Sequence, residues 1–350
     1  MPNRGAGKYV HVEYDSAGGA PPEIVTALER IGLVGRGEAA RFTPLTGGVS
    51  SDIWRVDARG RTFCVKRALP KLKVAADWRA PVSRNAYEVR WIETAGAVVP
   101  DAVPRLLGHD VEGGLFVMEF LDPARYRLWK EELRQGRADP PVARAVGERL
   151  AAIHAGTAGR ADIAARFPTD AIFHAIRLEP YLEAAARAHP DRAEALLALA
   201  RATAGTRRAL VHGDVSPKNI LLGPRGPVFL DAECAWYGDP AFDLAFCLNH
   251  LMLKCLWAPA AAAALLGCFD ALAAAYLAGV DYEPPADLEG RTARLLPGLF
   301  LARVDGKSPV EYLTEEAAKD RVRRVARALL AEPPARLAQV RAAWAAELGR

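Results

Sequence analysis

Three oxygen-bearing side chains stand in an order that suits the transfer of a phosphoryl group. In Leu210-Val211-His212-Gly213-Asp214-Val215-Ser216-Pro217-Lys218-Asn219-Ile220-Leu221-Leu222 an acid is followed five residues on by an amide. In Pro227-Val228-Phe229-Leu230-Asp231-Ala232-Glu233 a second acid comes twelve residues after that amide. Transfer to a hydroxyl needs one carboxylate to accept or orient the proton of the attacking oxygen, which is the part of Asp214. It also needs hard oxygen ligands for Mg²⁺, which Asn219 and Asp231 supply. Any one of these residues alone reads as a turn cap or a buried hydrogen bond. Their order, with short apolar runs on either side, carries the reading. His212 is expected to orient the loop and not to move a proton.

The elements that must hold these residues can be read from periodicity. Residues 22–34 have the pattern of a short amphipathic helix. From 40 to 67, apolar and polar residues alternate around Gly47-Gly48 and around the turn Ala58-Arg59-Gly60, which predicts three antiparallel strands. A helix near 83–96 and two strands near 104–111 and 114–120, joined by Glu112-Gly113-Gly114, follow. Beyond about 124 helical patterns dominate: 141–155, two helices in 176–208, then 240–256, 259–278, 315–331 and 335–348. The fold class is therefore α+β. The expected organisation is a polar tail over 1–20, a lobe of five antiparallel strands and a helix over 21–121, and a mostly helical lobe over 122–350.

The run His-Gly-Asp-x-x-x-x-Asn with a later acid at Asp231 resembles the aminoglycoside phosphotransferase and choline kinase superfamily, relatives of the protein kinases. The resemblance spans roughly residues 40–255. It implies a bilobal protein-kinase-like fold, ATP and Mg²⁺ as cofactors, and a small hydroxylated molecule as acceptor. It also implies an ATP-facing lysine on the third strand. Phe63-Cys64-Val65-Lys66 supplies one, in a chain where only nine of 46 basic residues are lysine. A helical glutamate should pair with Lys66: Glu88, with Glu93 as the alternative. The turn Thr46-Gly47-Gly48-Val49-Ser50-Ser51 would bring backbone N–H groups and hydroxyls over the phosphates, so Gly47, Gly48, Ser50 and Ser51 are nucleotide-binding candidates. Phe116-Val117-Met118-Glu119-Phe120-Leu121 looks like the segment whose backbone binds adenine, with Glu119 and Leu121 as candidates. Asp243, in Asp239-Pro240-Ala241-Phe242-Asp243-Leu244-Ala245, would brace the catalytic loop.

A finer likeness appears in patches. Val65-Lys66-Arg67-Ala68-Leu69-Pro70, Trp78, Arg84 with Glu88, and Ala235-Trp236-Tyr237-Gly238 look like methylthioribose kinases. The run after Asp214 departs from that group by ending in Asn219, and so does Asp231-Ala232-Glu233. A sugar-like or methylthioribose-like acceptor is favoured over an aminoglycoside or a choline-type amino alcohol. An aminoglycoside needs an acidic pocket, and the helical part is rich in arginine. A catalytically inactive binding protein on the same fold is the other class; the intact Lys66, Asp214, Asn219 and Asp231 argue against it. Glu233, Lys218, Arg303 and Asp305 are candidates for contacts to the substrate or for support around it.

Composition sets the frame. With 51% hydrophobic and 25% charged residues the 350-residue chain is of ordinary globular type. A net charge of +4 with acids and bases interspersed gives no nucleic-acid patch. The five cysteines have no CxxC spacing and read as buried thiols. The first residues lack the apolar segment of a signal peptide. The Ala-rich stretch 258–279 is broken by Gly267 and Asp270, so no membrane span is expected. A cytoplasmic location is the resulting expectation. Gly306-Lys307-Ser308 imitates a Walker loop, but Leu301 stands where its first glycine would be.

Overall fold

The computed structural model describes residues 21–45, 51–69 and 83–349. Its contacts divide the chain into two compact units. One joins the residues up to Glu93 with Pro104–Asp122, and the other joins Thr94–Val103 with Pro123–Arg350.

The first unit holds helix α1 (Pro22–Arg30), strands β1 (Arg41–Leu45), β2 (Ser51–Ala58) and β3 (Arg61–Ala68), the start of α2 (Arg84–Val98), and strands β4 (Leu106–Asp110) and β5 (Leu115–Glu119). The sheet order is β1-β2-β3-β5-β4, antiparallel throughout, as the alternation predicts. Period-2 geometry sends Trp54, Val56, Phe63, Val65, Leu115 and Val117 to one face, where they pack on Ile24, Ala27 and Leu28 of α1. Each such side chain contributes about 1.5–3 kcal/mol by leaving water. The β2–β3 hairpin turns through Arg59 and Gly60, with φ of 53° and 69°. Two positive φ values mark the tight turn whose twist matches its strands. The opposite face of β3 carries Lys66, which pairs in register with Ile53 on β2 and Phe116 on β5.

The second unit is mostly helical. After β6 (Arg127–Leu128) come α3 (Trp129–Arg134), α4 (Pro140–Thr157), α5 (Ala161–Arg166) and α6 (Asp170–Phe173). A π-helical segment, His174–Glu183, leads into α7 (Ala184–Ala188) and α8 (Ala193–Gly205). Two small antiparallel ribbons then interrupt the helices. One pairs β7 (Ala209–Val211) with β10 (Trp236–Gly238). The other orders β6, β8 (Ile220–Gly223) and β9 (Gly226–Phe229). Helices α9 (Ala241–Trp257), α10 (Ala262–Ala278), α11 (Pro285–Asp305), α12 (Glu316–Ala331) and α13 (Leu337–Glu347) complete the unit.

Helix α10 packs against α4 and α9. Gly147 permits the α4 contact, because a Cβ there would lie 2.5 Å from the Leu272 carbonyl oxygen. The stretch Pro259–Ala278 is long and apolar enough to cross a membrane, yet Leu265, Leu266, Phe269, Leu272 and Tyr276 are buried within the unit, the pattern of a core helix.

Two departures from the sequence expectation stand out. The 21-residue α11 lies where no element was expected. Its interior Pro297 and its glycines at 290 and 298 mask the helical period, and neighbouring helices supply the packing that holds it. The two expected helices of 176–208 are instead a π-helical segment, a short helix and α8. Pro180 sits inside that segment, where it lacks the N–H a regular α-turn would use.

Candidate functional site

The loop between β7 and β8 is held by Asp243 near the start of α9. The fully buried Asp243 carboxylate accepts hydrogen bonds from the backbone N–H of His212 (2.7 Å) and of Gly213 (2.8 Å). Its Oδ2 lies 3.2 Å from His154 Nε2, and the Tyr276 hydroxyl sits 2.6 Å from His154 Nδ1. This is the bracing expected of Asp243 from the sequence. Gly213 has φ +79°, and a Cβ there would meet the Cys234 carbonyl oxygen at 2.6 Å. Both the backbone conformation and the space demand glycine before Asp214.

His212 behaves as an orienting residue. Its Nδ1 accepts from the backbone N–H of Asp214 (3.1 Å), so Nε2 carries the proton and faces the Leu230 carbonyl at 3.1 Å. Burial pushes its pKa below the ordinary histidine value, against the pull of Asp243, Asp214 and Asp231. The ring is therefore neutral and ties the Asp214 loop to the strand that leads to Asp231.

Asp214 is 5% exposed and lies between two cations. Arg177 Nη2 is 3.0 Å and Lys218 Nζ 3.2 Å from its Oδ2. Burial alone would raise its pKa. The charges of Lys218 and then Arg177 outweigh burial and hold the carboxyl below the ordinary aspartate range. Lys218 is correspondingly held above its usual value by Asp214. Arg177 also donates through Nε to the Gly213 carbonyl, and its guanidinium lies over the Tyr181 ring at 5.6 Å.

Asn219 closes the turn Pro217–Asn219, with its amide Nδ2 donating to the Asp214 carbonyl at 3.1 Å. That bond fixes which end of the amide is the oxygen. The Asn219 carbonyl in turn accepts from the Leu230 N–H at 2.9 Å, which sets Asp231 one residue beyond Asn219's partner. Asp231 has φ +67°, a left-handed conformation uncommon for residues with a side chain, tolerated best by Asn and Asp, and clustered at active sites. One amide oxygen and one carboxylate, both hard donors, fit a Mg²⁺ that completes its shell with phosphate oxygens and water.

In the first unit Lys66 and Glu88 form a buried ion pair. Lys66 Nζ donates to both carboxylate oxygens of Glu88, at 2.8 and 2.7 Å, and the two residues are 3% and 2% exposed. Strand β3 presents the lysine on the face opposite α1, and the first turns of α2 present the glutamate.

A model of the phosphotransferase enzyme family matches residues 41–278, which include every one of these residues. The chain belongs to that family. Among curated relatives, the methylthioribose kinase of Yersinia pseudotuberculosis serotype O:3 (strain YPIII) is 26% identical over 219 residues, covering 54% of this chain and 53% of its own. That of Pectobacterium carotovorum subsp. carotovorum (strain PC1) is 29% identical over 220 residues, covering 54% of each. The chain thus spans about half the length of the curated relatives it matches. Among solved structures, an ethanolamine kinase of Plasmodium vivax superposes with a TM-score of 0.52 at 14% identity, over 85% of this chain and 86% of that one. A choline/ethanolamine kinase family protein from Mesorhizobium loti gives 0.51 at 16%, over 92% and 99%. These likenesses are of fold, and the fold is protein-kinase-like.

Within the phosphotransferase family frame, the remaining sequence candidates fall into three groups. Gly47, Gly48 and Ser50 lie outside the described residues, while Ser51 opens β2, buried and paired with Ala68. Glu119 ends β5 with its side chain accepting from the Arg105 N–H at 2.9 Å, and Leu121 follows it, part-buried. Glu233 is part-buried two residues after Asp231. Arg303 on α11 donates to the Tyr181 hydroxyl at 3.0 Å, which joins it to the ring beneath Arg177. Asp305 instead pairs with Arg323 at 2.6 Å and His189 at 2.8 Å, so the structure uses it to tie α11 to α12. Arg177 went unnoticed in the sequence because it is one of six arginines between 176 and 208, and only its tertiary contact with Asp214 distinguishes it.

Proposed function

We propose that the chain transfers the γ-phosphoryl group of ATP to a hydroxyl of a small molecule, with a sugar-like or methylthioribose-like acceptor. The observation that carries this reading is Asp214. It is a buried carboxylate kept ionised by two cations, on a loop that also orders Asn219 and Asp231. Asp214 would receive the acceptor hydroxyl and align its oxygen. An O–P bond forms from that oxygen to the γ-phosphorus as the bridging β–γ bond to ADP breaks, and the hydroxyl proton passes to Asp214. The transition state is loose, so positioning does more than basicity, and a low pKa suits the role. Lys66, fixed by Glu88, would hold nucleotide phosphates as a compact cation. Asn219 and Asp231 would hold Mg²⁺, which neutralises charge on the β- and γ-phosphate oxygens when bound. The methylthioribose kinase relatives and the finer sequence patches around Lys66 and Trp236 support the sugar-like acceptor.

The five cysteines are buried thiols, none in a disulfide, which accords with action in a reducing cytoplasm on a diffusible substrate. The reading is tested by measuring ADP release from ATP and Mg²⁺ across a panel of hydroxylated metabolites, for the wild type and Asp231→Ala. One or more acceptors should raise ADP release in the wild type, and Asp231→Ala should abolish that rise with an unchanged circular dichroism spectrum. Acceptor-dependent turnover surviving in Asp231→Ala would overturn the metal assignment.

A further inference from the structure

One face of α9 carries Phe242, Phe246, His250 and Lys254 at four-residue spacing, with Trp257 three further on. This row leads away from the Asp214 loop. Arg177, the partner of Asp214, lies over Phe246 at 5.8 Å as well as over Tyr181, and Phe246 packs on His250 with ring centroids 5.2 Å apart. The His250 Nδ1 is 3.4 Å from the Tyr312 hydroxyl. Lys254 Nζ lies 4.2 Å from the ring centroids of both Tyr312 and Trp257, which stack on each other. Arg303 lies over Tyr181 at 5.4 Å. A continuous band of aromatic rings and cations therefore runs from Asp214 through Arg177, Arg303 and His250 to Lys254, with half-exposed Lys218 at its start.

The band has more positive charge and donor capacity than its own acids satisfy. Of the acids near Lys254, Glu311 is paired with Lys130 at 2.5 Å and Glu131 with Arg134 at 2.6 Å. His250 is 5% exposed, and among the described residues its Nε2 has no hydrogen-bond partner; Arg303 is 7% exposed, and while its Nη1 donates to Tyr181 and Ser308, its Nε has no partner among the described residues. When the Tyr312 hydroxyl donates to Nδ1, the neutral His250 ring carries its proton on Nε2 and can donate it to an anion. Burial, and then the charges of Arg303, Lys254, Lys218 and Lys130, push the His250 pKa well below the ordinary histidine value and hold the ring neutral. Leaving such buried donors unmatched is costly, and an anion resolves the imbalance.

We propose that the acceptor carries an oxyanion, a carboxylate or a phosphate ester, which is received by His250, Lys254 and Arg303 while its hydroxyl meets Asp214. This rests on the phosphotransfer reading and narrows its acceptor to an anionic sugar-like molecule in place of a neutral methylthioribose-like one. It also disfavours a choline- or aminoglycoside-type acceptor, because Lys254 and Arg303 already lie over the Trp257, Tyr312 and Tyr181 rings and would repel a second cation there. Lys254 adds a signature. Burial, and then Lys130, lower its pKa to about 7; Glu311 and Glu131 oppose this and Arg303 reinforces it, while His250 beside it is neutral. An arriving anion favours the charged form, so binding above neutral pH takes up a proton.

The test uses the full chain saturated with Mg²⁺ and a non-hydrolysable ATP analogue, so that the nucleotide site is filled. Ribose, ribonate and ribose 5-phosphate are titrated by calorimetry at pH 8 in two buffers of different ionisation enthalpy. Phosphorylation of each is measured separately with ATP. Ribonate or ribose 5-phosphate should bind about 30-fold or more tighter than ribose, with proton uptake, and Lys254→Met should erase both the preference and the uptake. The stronger of the two identifies carboxylate or phosphate as the source of the anion. Ribose bound as well as both anions, or no anion binding at millimolar concentration, would overturn the proposal. Selective, Lys254-dependent anion binding without phosphorylation of any of the three would instead keep the anion site and count against phosphoryl transfer.

Discussion

Two lysines are buried among the described residues, and their surroundings are opposites. Lys66, on the sheet of the first unit, has both oxygens of Glu88 within 2.8 Å. Lys254, at the end of α9 in the second unit, is 1% exposed and is flanked by two aromatic rings. Glu88 answers the first charge within the protein. The second lysine is pressed toward neutrality by burial and by Lys130. A paired buried charge is a fixed structural part, whereas a buried lysine over two rings with no carboxylate within ion-pair distance among the described residues is the centre of the anion site proposed above. The difference separates a residue that holds its position from one that responds to a ligand.

The largest effect follows from breaking the closed pair. Glu88→Ala leaves the Lys66 ammonium buried without its bidentate partner, and should destabilise the protein by about 3–5 kcal/mol. Replacing both residues with apolar side chains of similar volume should recover most of that loss while removing the lysine proposed to hold nucleotide phosphates. Urea unfolding of the single and double variants reads the first effect, and nucleotide calorimetry the second. If Glu88→Ala unfolds like the wild type, the pair is not a fixed structural part and the contrast fails.

A smaller and pH-dependent effect sharpens the other side. Lys254 has a folded pKa lowered from 10.5 to about 7. Between those values the unfolded chain holds a proton there that the folded chain lacks, so stability rises with pH across the window. Below about 7 both states are protonated, and the desolvation of the charge is borne in full. Lys254→Met has no such proton, so it should be the more stable protein at pH 7. Its margin over the wild type should shrink by up to about 1.4 kcal/mol per pH unit as pH rises toward 9. Unfolding midpoints at pH 7, 8 and 9 measure this. Parallel curves would mean that the rings of Trp257 and Tyr312 with Glu311 keep Lys254 charged throughout.

The same contrast explains how much of the molecule was legible in the sequence. The five strands were, because period-2 burial leaves its mark residue by residue, as in Trp54, Val56 and Ala58. Lys66 stood out because it interrupts an apolar strand, and the family resemblance implied a helical glutamate partner, Glu88 or alternatively Glu93, of which the structure pairs Glu88. The Asp214 loop was legible because its groups are close in sequence, so a short motif holds most of the chemistry. The band beyond it was not. Arg177, Tyr181, His250, Lys254, Arg303 and Tyr312 come from the π-helical segment, α9, α11 and the stretch before α12, and only packing assembles them. Helix α11 was missed outright, and with it the element that makes Arg303 part of the band and Asp305 a brace. Regular geometry and local motifs survive in sequence; a surface built from four distant elements does not.

The central claim is that Asp214 aligns the hydroxyl that receives the phosphoryl group. Single-turnover transfer from ATP to the acceptor, comparing the wild type with a folded Asp214→Asn, tests it most directly. Asparagine keeps the shape and one acceptor oxygen. The account therefore predicts a transfer rate lower by about 10²–10⁴, with calorimetric affinity for Mg²⁺-nucleotide close to wild type. An Asp214→Asn protein that transfers phosphate at more than about a tenth of the wild-type rate would contradict it and move the role to another carboxylate, with Glu233 the next to examine.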